Sequence, residues 1–242
     1  MSGHSKWANI KRKKGKTDSD RGHLFTKIGR ELSLAVKSGG ADPLANSRLR
    51  DVIAKAKSNN MPNDSIQRSI KKAAGEADGA NYEVINYEGY GPSGVAVIVE
   101  TLTDNRNRTA GDLRHLFDKY GGNMGTIGCV SFMFDRKGQI LIEKEPDADE
   151  DEMMITVLDA GASDFLVEDE YFEVLTEADD FTNVRESLEK TGMGFLSADV
   201  TMIPQTLTTL TNAEAIENME KLIDHLEELD DVQNIWHNWD QD

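Results

Sequence analysis

The residue spacing most suggestive of chemistry is Gly89-Tyr90-Gly91-Pro92-Ser93-Gly94, a literal GxGxxG. A dinucleotide fingerprint needs a strand before it and a helix after it, so that the pyrophosphate meets a helix N-terminus. Here a β-rich run, Val95–Val99, follows and Pro92 sits inside, so the spacing predicts a hairpin turn. The acidic run Asp147–Glu152 is similar to a calcium loop. With Asp147 at the first position, however, Glu152 stands where an EF-hand requires glycine. Those carboxylates read instead as solvated charge at a helix start. His4, His23, His115, His225 and His237 are scattered, none at helical ligand spacing, and Cys129 is the single cysteine. No metal site and no disulfide framework follow from that set, and the lone cysteine suits a cytoplasmic chain. Neither GxSxG nor GxxxxGK(S/T) occurs, so no catalytic residue and no cofactor is assigned, and the chain reads as a non-enzyme.

The basic residues survive this screen. The 242-residue chain has a net charge of −17, but the charge is segregated. Residues 1–75 hold 17 Lys and Arg against 6 Asp and Glu, a net of +11, and residues 76–242 hold 10 against 38, a net of −28. A polyanion partner at the basic end is the expectation from such asymmetry. The candidate contacts begin with Lys6, Trp7, Lys11, Arg12, Lys13, Lys14 and Lys16 in an N-terminal arm. They continue with Arg21, Lys27 and Arg30, then Arg48, Arg50, Lys55 and Lys57, then Arg68, Lys71 and Lys72 on three helices. Few acids balance them, whereas an ordinary solvated surface mixes both signs. Trp7 beside Lys6 either stacks on an unpaired base or packs the arm onto the helices. A smaller, secondary anion site is expected where Arg106, Arg108 and Arg114 gather at a strand-to-helix junction, against the alternative of capping and internal ion pairing.

Helical periodicity predicts the elements that carry these residues. Leu24, Phe25, Ile28, Leu32 and Val36 mark a first helix ending at Gly39-Gly40. Asp42-Pro43 is expected to start a second, with Leu44, Leu49, Val52, Ile53 and Ala56 buried. Asn63 caps a third, with Ile66, Ile70 and Ala73 inward. The break and helix over residues 59–73 loosely imitate a helix-turn-helix. From Tyr82 the pattern turns to β: a hairpin of Tyr82–Tyr87 and Val95–Leu102, a helix over 106–120, and strands at Cys129–Phe134 and Gln139–Glu143 with Gly138 turning between them. From Gln139 to Ile203 the order reads βαββαβ, the ferredoxin-like order. A late helix (213–229) and strand (232–236) remain to complete the hairpin's sheet. The fold class is therefore α+β in three domains: an N-terminal three-helix bundle with its arm (1–78), a split α+β middle domain (79–137 plus 204–242), and an inserted ferredoxin-like domain (138–203). No apolar run is long enough to span a membrane, and none is expected as a partner.

Several blocks together resemble the YebC/PmpR family. They are Gly3-His4-Ser5-Lys6-Trp7, Phe25-Thr26-Lys27-Ile28, the 39–50 stretch, Asn59-Asn60-Met61-Pro62, Tyr87-Glu88-Gly89-Tyr90-Gly91-Pro92 and Asp104-Asn105-Arg106-Asn107-Arg108-Thr109. Lys119-Tyr120-Gly121-Gly122-Asn123 and Ser131-Phe132 to Lys137-Gly138 extend the likeness over essentially the whole chain. The resemblance implies a cytoplasmic three-domain protein that binds nucleic acid. It leaves two processes open, transcription regulation through DNA or translation regulation through ribosomal RNA or tRNA, and maps the family's basic N-terminal residues onto Lys6, Lys11, Arg12, Lys13, Lys14 and Lys16. The acidic domains are expected to offer a surface to a protein partner.

Overall fold

The computed structural model describes residues 18–75 and 82–241, with side chains from Gly22 onward. The arm, with Lys6, Trp7, Lys11, Arg12, Lys13, Lys14 and Lys16, and the side chain of Arg21 lie outside the described residues.

Three helices form the head: α1 (Asp18–Gly39), α2 (Ser47–Ser58) and α3 (Asn63–Gly75). Their apolar residues recur at helical spacing and meet in one core of Ile28, Leu32, Ala35, Val36, Leu49, Val52, Ala56, Met61, Ile66, Ile70 and Ala73. The second helix starts later than the expected Asp42-Pro43. Asp42 instead accepts the Leu44 N–H in a turn, and Asn46 caps the helix by accepting from Leu49 N at 3.1 Å. Leu44 therefore belongs to the turn and is 88% exposed, not part of the buried stripe.

The next elements are β1 (Glu83–Tyr90), β2 (Ala96–Thr103) and α4 (Arg106–Lys119). The GxGxxG segment is indeed the turn of an antiparallel hairpin, with Ser93 and Gly94 at φ of 55° and 83°. Strand β3 (Asn123–Met124) adds to β1, and residues after the insertion complete the sheet: β9 (Val232–His237) gives the order β3-β1-β2-β9, and α7 (Ala213–Glu228) joins α4 on one face. A short parallel pair joins β8 (Thr208–Thr209), in the Thr-rich stretch that shows no strand periodicity in the sequence, to β10 (Trp239–Asp240).

Between these parts run β4 (Phe134–Glu143), α5 (Glu150–Asp159), β5 (Asp164–Val167), β6 (Tyr171–Glu177), α6 (Phe181–Lys190) and β7 (Ser197–Pro204). The antiparallel order β5-β6-β4-β7, with α5 and α6 over one face, is ferredoxin-like. Two local readings are corrected. Residues 129–133 are turn and 3-10 helix, because the Glu88 carboxylate takes the N–H groups of Gly128, Val130 and Ser131 that a ladder would need. Gly138 is not a turn but lies inside the continuous strand β4, where an added Cβ would stand 2.1 Å from Thr176 Oγ1.

The joints between the parts differ in chemistry. The two α+β parts share an apolar cluster of Ala96, Ile98, Val130 and Phe134 with Met202 and Trp236. The head core gathers apolar side chains only from the head itself.

Candidate nucleic-acid interface

The head's cations divide into two populations. On α3, Arg68, Lys71 and Lys72 stand at i, i+3 and i+4, one stripe opposite the buried Ile66, Ile70 and Ala73. All three are exposed, as are Arg48 and Lys57 on α2. Among the described residues no ion pair engages Arg48, Lys57, Arg68 or Lys71. The α3 stripe is mainly cationic, with Asp64, one turn before Arg68, as its exposed acid.

The second population faces inward. His23, Lys27 and Arg30 lie at i, i+4 and i+7 along α1 and together meet the end of α7. His23 Nδ1 is 3.0 Å from Asp230 Oδ1, and Lys27 Nζ donates to the Glu227 carbonyl at 2.6 Å. Arg30 donates to the Asp230 carbonyl at 2.7 Å and to Asp231 Oδ1 at 2.8 Å. A helix C-terminus carries unpaired carbonyls and partial negative charge, which is why cations gather there. On α2, Arg50 Nε pairs with Glu186 of α6 at 2.9 Å, while Asp51 accepts from Arg185 and Thr182 of the same helix. Burial raises the pKa of Asp51 in spite of those donors. Lys55 is held by Glu31 at 2.9 Å, with Asp199 of β7 at 3.9 Å. Burial opposes its charge, but Glu31 and Asp199 outweigh that and raise its pKa. Lys27, Arg30, Arg50 and Lys55 therefore act in this structure as fasteners of the head rather than as an open phosphate surface.

The arginines at the strand-to-helix junction do not converge. Arg108 donates to Asp104 at 2.9 Å and to Asp231 at 2.7 Å, and those bonds raise its pKa. Arg106 and Arg114 are exposed elsewhere on α4. The adjoining cleft, about 330 Å³, is lined by Asp104, Asp112, Asp230 and Asp231 beside Arg30 and Arg108. Four carboxylates against two guanidiniums suit internal pairing better than an anion.

Two carboxylates that periodicity does not single out organise this region. Asp231 accepts from Arg30, Arg108, Thr103 and Thr109. Burial alone would raise its pKa, but the bonds from Arg108, Thr109 and Arg30 prevail and lower it. Glu88, 4% exposed, accepts three backbone N–H groups, which outweigh its burial and lower its pKa. An acid beside a predicted Gly-rich turn looks solvent-facing in sequence, and the partners of Glu88 lie 40 or more residues on. No group of His, Cys, Asp and Glu among the described residues has the geometry to hold a metal ion, and no described helix is long and apolar enough to cross a membrane.

Comparison with known proteins places this architecture. Residues 5–76 match the model of the TACO1/YebC protein N-terminal domain, and residues 82–239 match the TACO1/YebC second and third domain. A probable transcriptional regulatory protein of Acetivibrio thermocellus is 66% identical over 239 residues, covering 99% of each chain. One from Ruminiclostridium cellulolyticum is 62% identical over 242 residues, covering 100% of this chain and 98% of its own. The crystal structure of a conserved hypothetical protein from Aquifex aeolicus superposes with a TM-score of 0.83 at 42% identity, over 93% of this chain and 92% of that one. With both family models matched in order and relatives aligned nearly end to end, the chain belongs to the TACO1/YebC family, whose curated relatives carry the name probable transcriptional regulatory protein.

Proposed function

We propose that the chain is a cytoplasmic, non-enzymatic regulator of gene expression that binds DNA through the outer face of its head. The observation that carries this reading is the α3 stripe of Arg68, Lys71 and Lys72, exposed on the one basic unit of an otherwise strongly acidic chain. Phosphate supplies most of the affinity in such contacts, and the acidic remainder repels a polyanion, so the head's outer face is the favoured side of approach. The relatives' names support regulation of transcription as the process. The arm residues Lys6 to Lys16, with Trp7, extend this surface in the proposal. The three-unit division at 1–78, 79–137 plus 204–242, and 138–203 is part of the same reading: a basic reader attached to two acidic units whose outer surface is free for a protein partner.

The test compares binding to promoter duplexes with co-sedimentation on ribosomes. Promoter binding should weaken in Arg68→Gln/Lys71→Gln/Lys72→Gln, with the slope of log affinity against log salt shallower by about 0.9 per lost duplex contact. An unchanged slope would remove α3 as the contact. Enrichment on ribosomes without promoter preference would replace the transcriptional reading with one in translation through ribosomal RNA or tRNA.

A further inference from the structure

We propose that the inner face of the head, bearing Lys27, Arg30 and Arg50, is a second phosphate-binding surface that the chain's own acidic units occupy until nucleic acid displaces them. The inference rests on the reading above and names how that site is regulated.

The partners of these three cations are oxygen acceptors, as phosphate oxygens are. Lys27 and Arg30 take the Glu227 and Asp230 carbonyls and the Asp231 carboxylate, and Arg50 takes Glu186 through Nε while its Nη1 stays on the head's own Pro43 and Leu44 carbonyls. The stripe from His23 to Arg30 spans about 10 Å of helix. One strand of a duplex carries about three phosphates over that length. Arg30 and Arg50 are only partly withdrawn from water, their side chains 18% and 34% exposed.

The attachment is of a kind that can open. No apolar cluster among the described residues joins the head to the rest, whereas one does join the two α+β parts. Polar interfaces between units favour relative motion, and partly exposed ion pairs are weak and screened by salt. A nucleic acid seated on the outer stripe raises the local concentration of phosphate at the head, and its oxygens compete with Glu186 and Asp231 for the same guanidiniums. Opening would add the inner cations to the contact, so the acidic units set the threshold for binding.

Two variants of the full chain test this, Glu186→Gln, which neutralises the carboxylate on Arg50 while leaving its bonds to the Pro43 and Leu44 carbonyls, and Asp231→Asn, which neutralises the carboxylate on Arg30 while leaving its bonds to the Asp230 and Leu102 carbonyls. Glu186 is partly exposed and its variant is expected to keep the native melting temperature, so the result does not depend on the more buried Asp231. The probe is a fluorescein-labelled 20-base-pair duplex of mixed sequence, read by anisotropy across a salt series. Head movement is read by energy transfer between dyes at Ala45→Cys and Asp118→Cys in a Cys129→Ser background. Expected are binding about tenfold tighter in each variant, a salt slope steeper by about 0.9 per freed cation, and loss of energy transfer when the duplex is added. Wild-type affinity and slope in both variants, with energy transfer unchanged, would overturn the proposal. That result leaves the outer face standing if the α3 variant still loses binding. If neither wild type nor either variant binds the duplex, both readings fall. If only the freed variants bind, the inner face is the principal site and the outer-face reading alone falls.

Discussion

Replacing Glu88 by Gln should loosen residues 125–133 and destabilise the middle sheet by about 3 kcal/mol. The figure follows from the three acceptor positions that the carboxylate fills. Oε2 accepts from Val130 N at 2.9 Å and Ser131 N at 2.8 Å, and Oε1 accepts from Gly128 N at 2.8 Å. Hydrogen bonds to a charged group contribute about 1.5–3 kcal/mol and neutral ones about 1. Glutamine can place its single oxygen against Val130 and Ser131, which makes both bonds neutral and loses about 2 kcal/mol between them. Its NH2 then confronts the Gly128 N–H. Because Gly128 is exposed, water relieves that clash, and about 1 kcal/mol more is lost.

The sign of the pH dependence follows from the depressed pKa of Glu88. A group whose folded pKa is lowered stabilises fully above its unfolded value, ordinarily 4.5, and loses that contribution as pH falls through the folded value. The gap between wild type and Glu88→Gln should therefore be widest near neutrality, narrow as pH falls below 4.5, and close only below the lowered folded value. Amide hydrogen exchange reads the effect locally: at neutral pH the Val130 and Ser131 amides should exchange about 100-fold faster in the variant. The melting temperature of the transition that includes this sheet should fall by about 6–12 °C. Equal exchange rates, or a stability gap that persists unchanged into acid, would refute the reasoning.

Asn46→Ala should cost the head about 2–3 kcal/mol, because the buried amide both caps α2 and donates to the Ala35 and Gly40 carbonyls, each at 2.8 Å. Asn46→Asp, an equally good cap in isolation, should fail to rescue in urea denaturation because its carboxylate would face those two carbonyls; wild-type stability in that variant would refute the assignment. Gly138→Ala should destabilise the ferredoxin-like unit by at least about 1–3 kcal/mol, since its Cβ meets Thr176 Oγ1 at 2.1 Å and Phe181 Cβ at 2.9 Å. Adding Thr176→Ala should restore part of the loss in a thermal melt, and no restoration would mean that the crowding lies elsewhere.

The helices and the longer strands of this fold follow from local patterns, so they could be read from the chain alone, whereas the two-residue strands β3, β8 and β10 are too short to carry a period. Ile66, Ile70 and Ala73 repeat at helical spacing on α3, and the order from β4 to β7 needs only strand and helix periods and turn signals. The boundaries that shifted were set by single side chains acting at a distance. Asn46 draws the start of α2 away from Asp42-Pro43, and Glu88 removes the N–H groups that would have made residues 129–133 a strand. The outer half of the candidate site was legible for the same reason as the helices: Arg68, Lys71 and Lys72 define one face by spacing alone. Which cations are consumed internally was not, because Arg50 meets Glu186 across 136 residues and Arg30 meets Asp231 across 201. Composition registers the excess of positive charge in the head but carries no information on those pairings.

Charge segregation in this chain consequently has two effects that a single ionic variable controls. In the proposed binding mode salt would screen the contact between the outer stripe and phosphate, and it would also screen the ion pairs that hold Arg30 and Arg50. The two responses have opposite consequences for affinity: screening weakens phosphate contact directly, while loosening the head makes more cations available. In wild type the loss of affinity with salt should therefore be shallower than the number of phosphate contacts in the final complex implies, and neutralising the body's acceptors removes the compensating process. A head fastened by apolar packing, as the two α+β parts are to each other, would show no such compensation, because its cations would be equally available at every ionic strength.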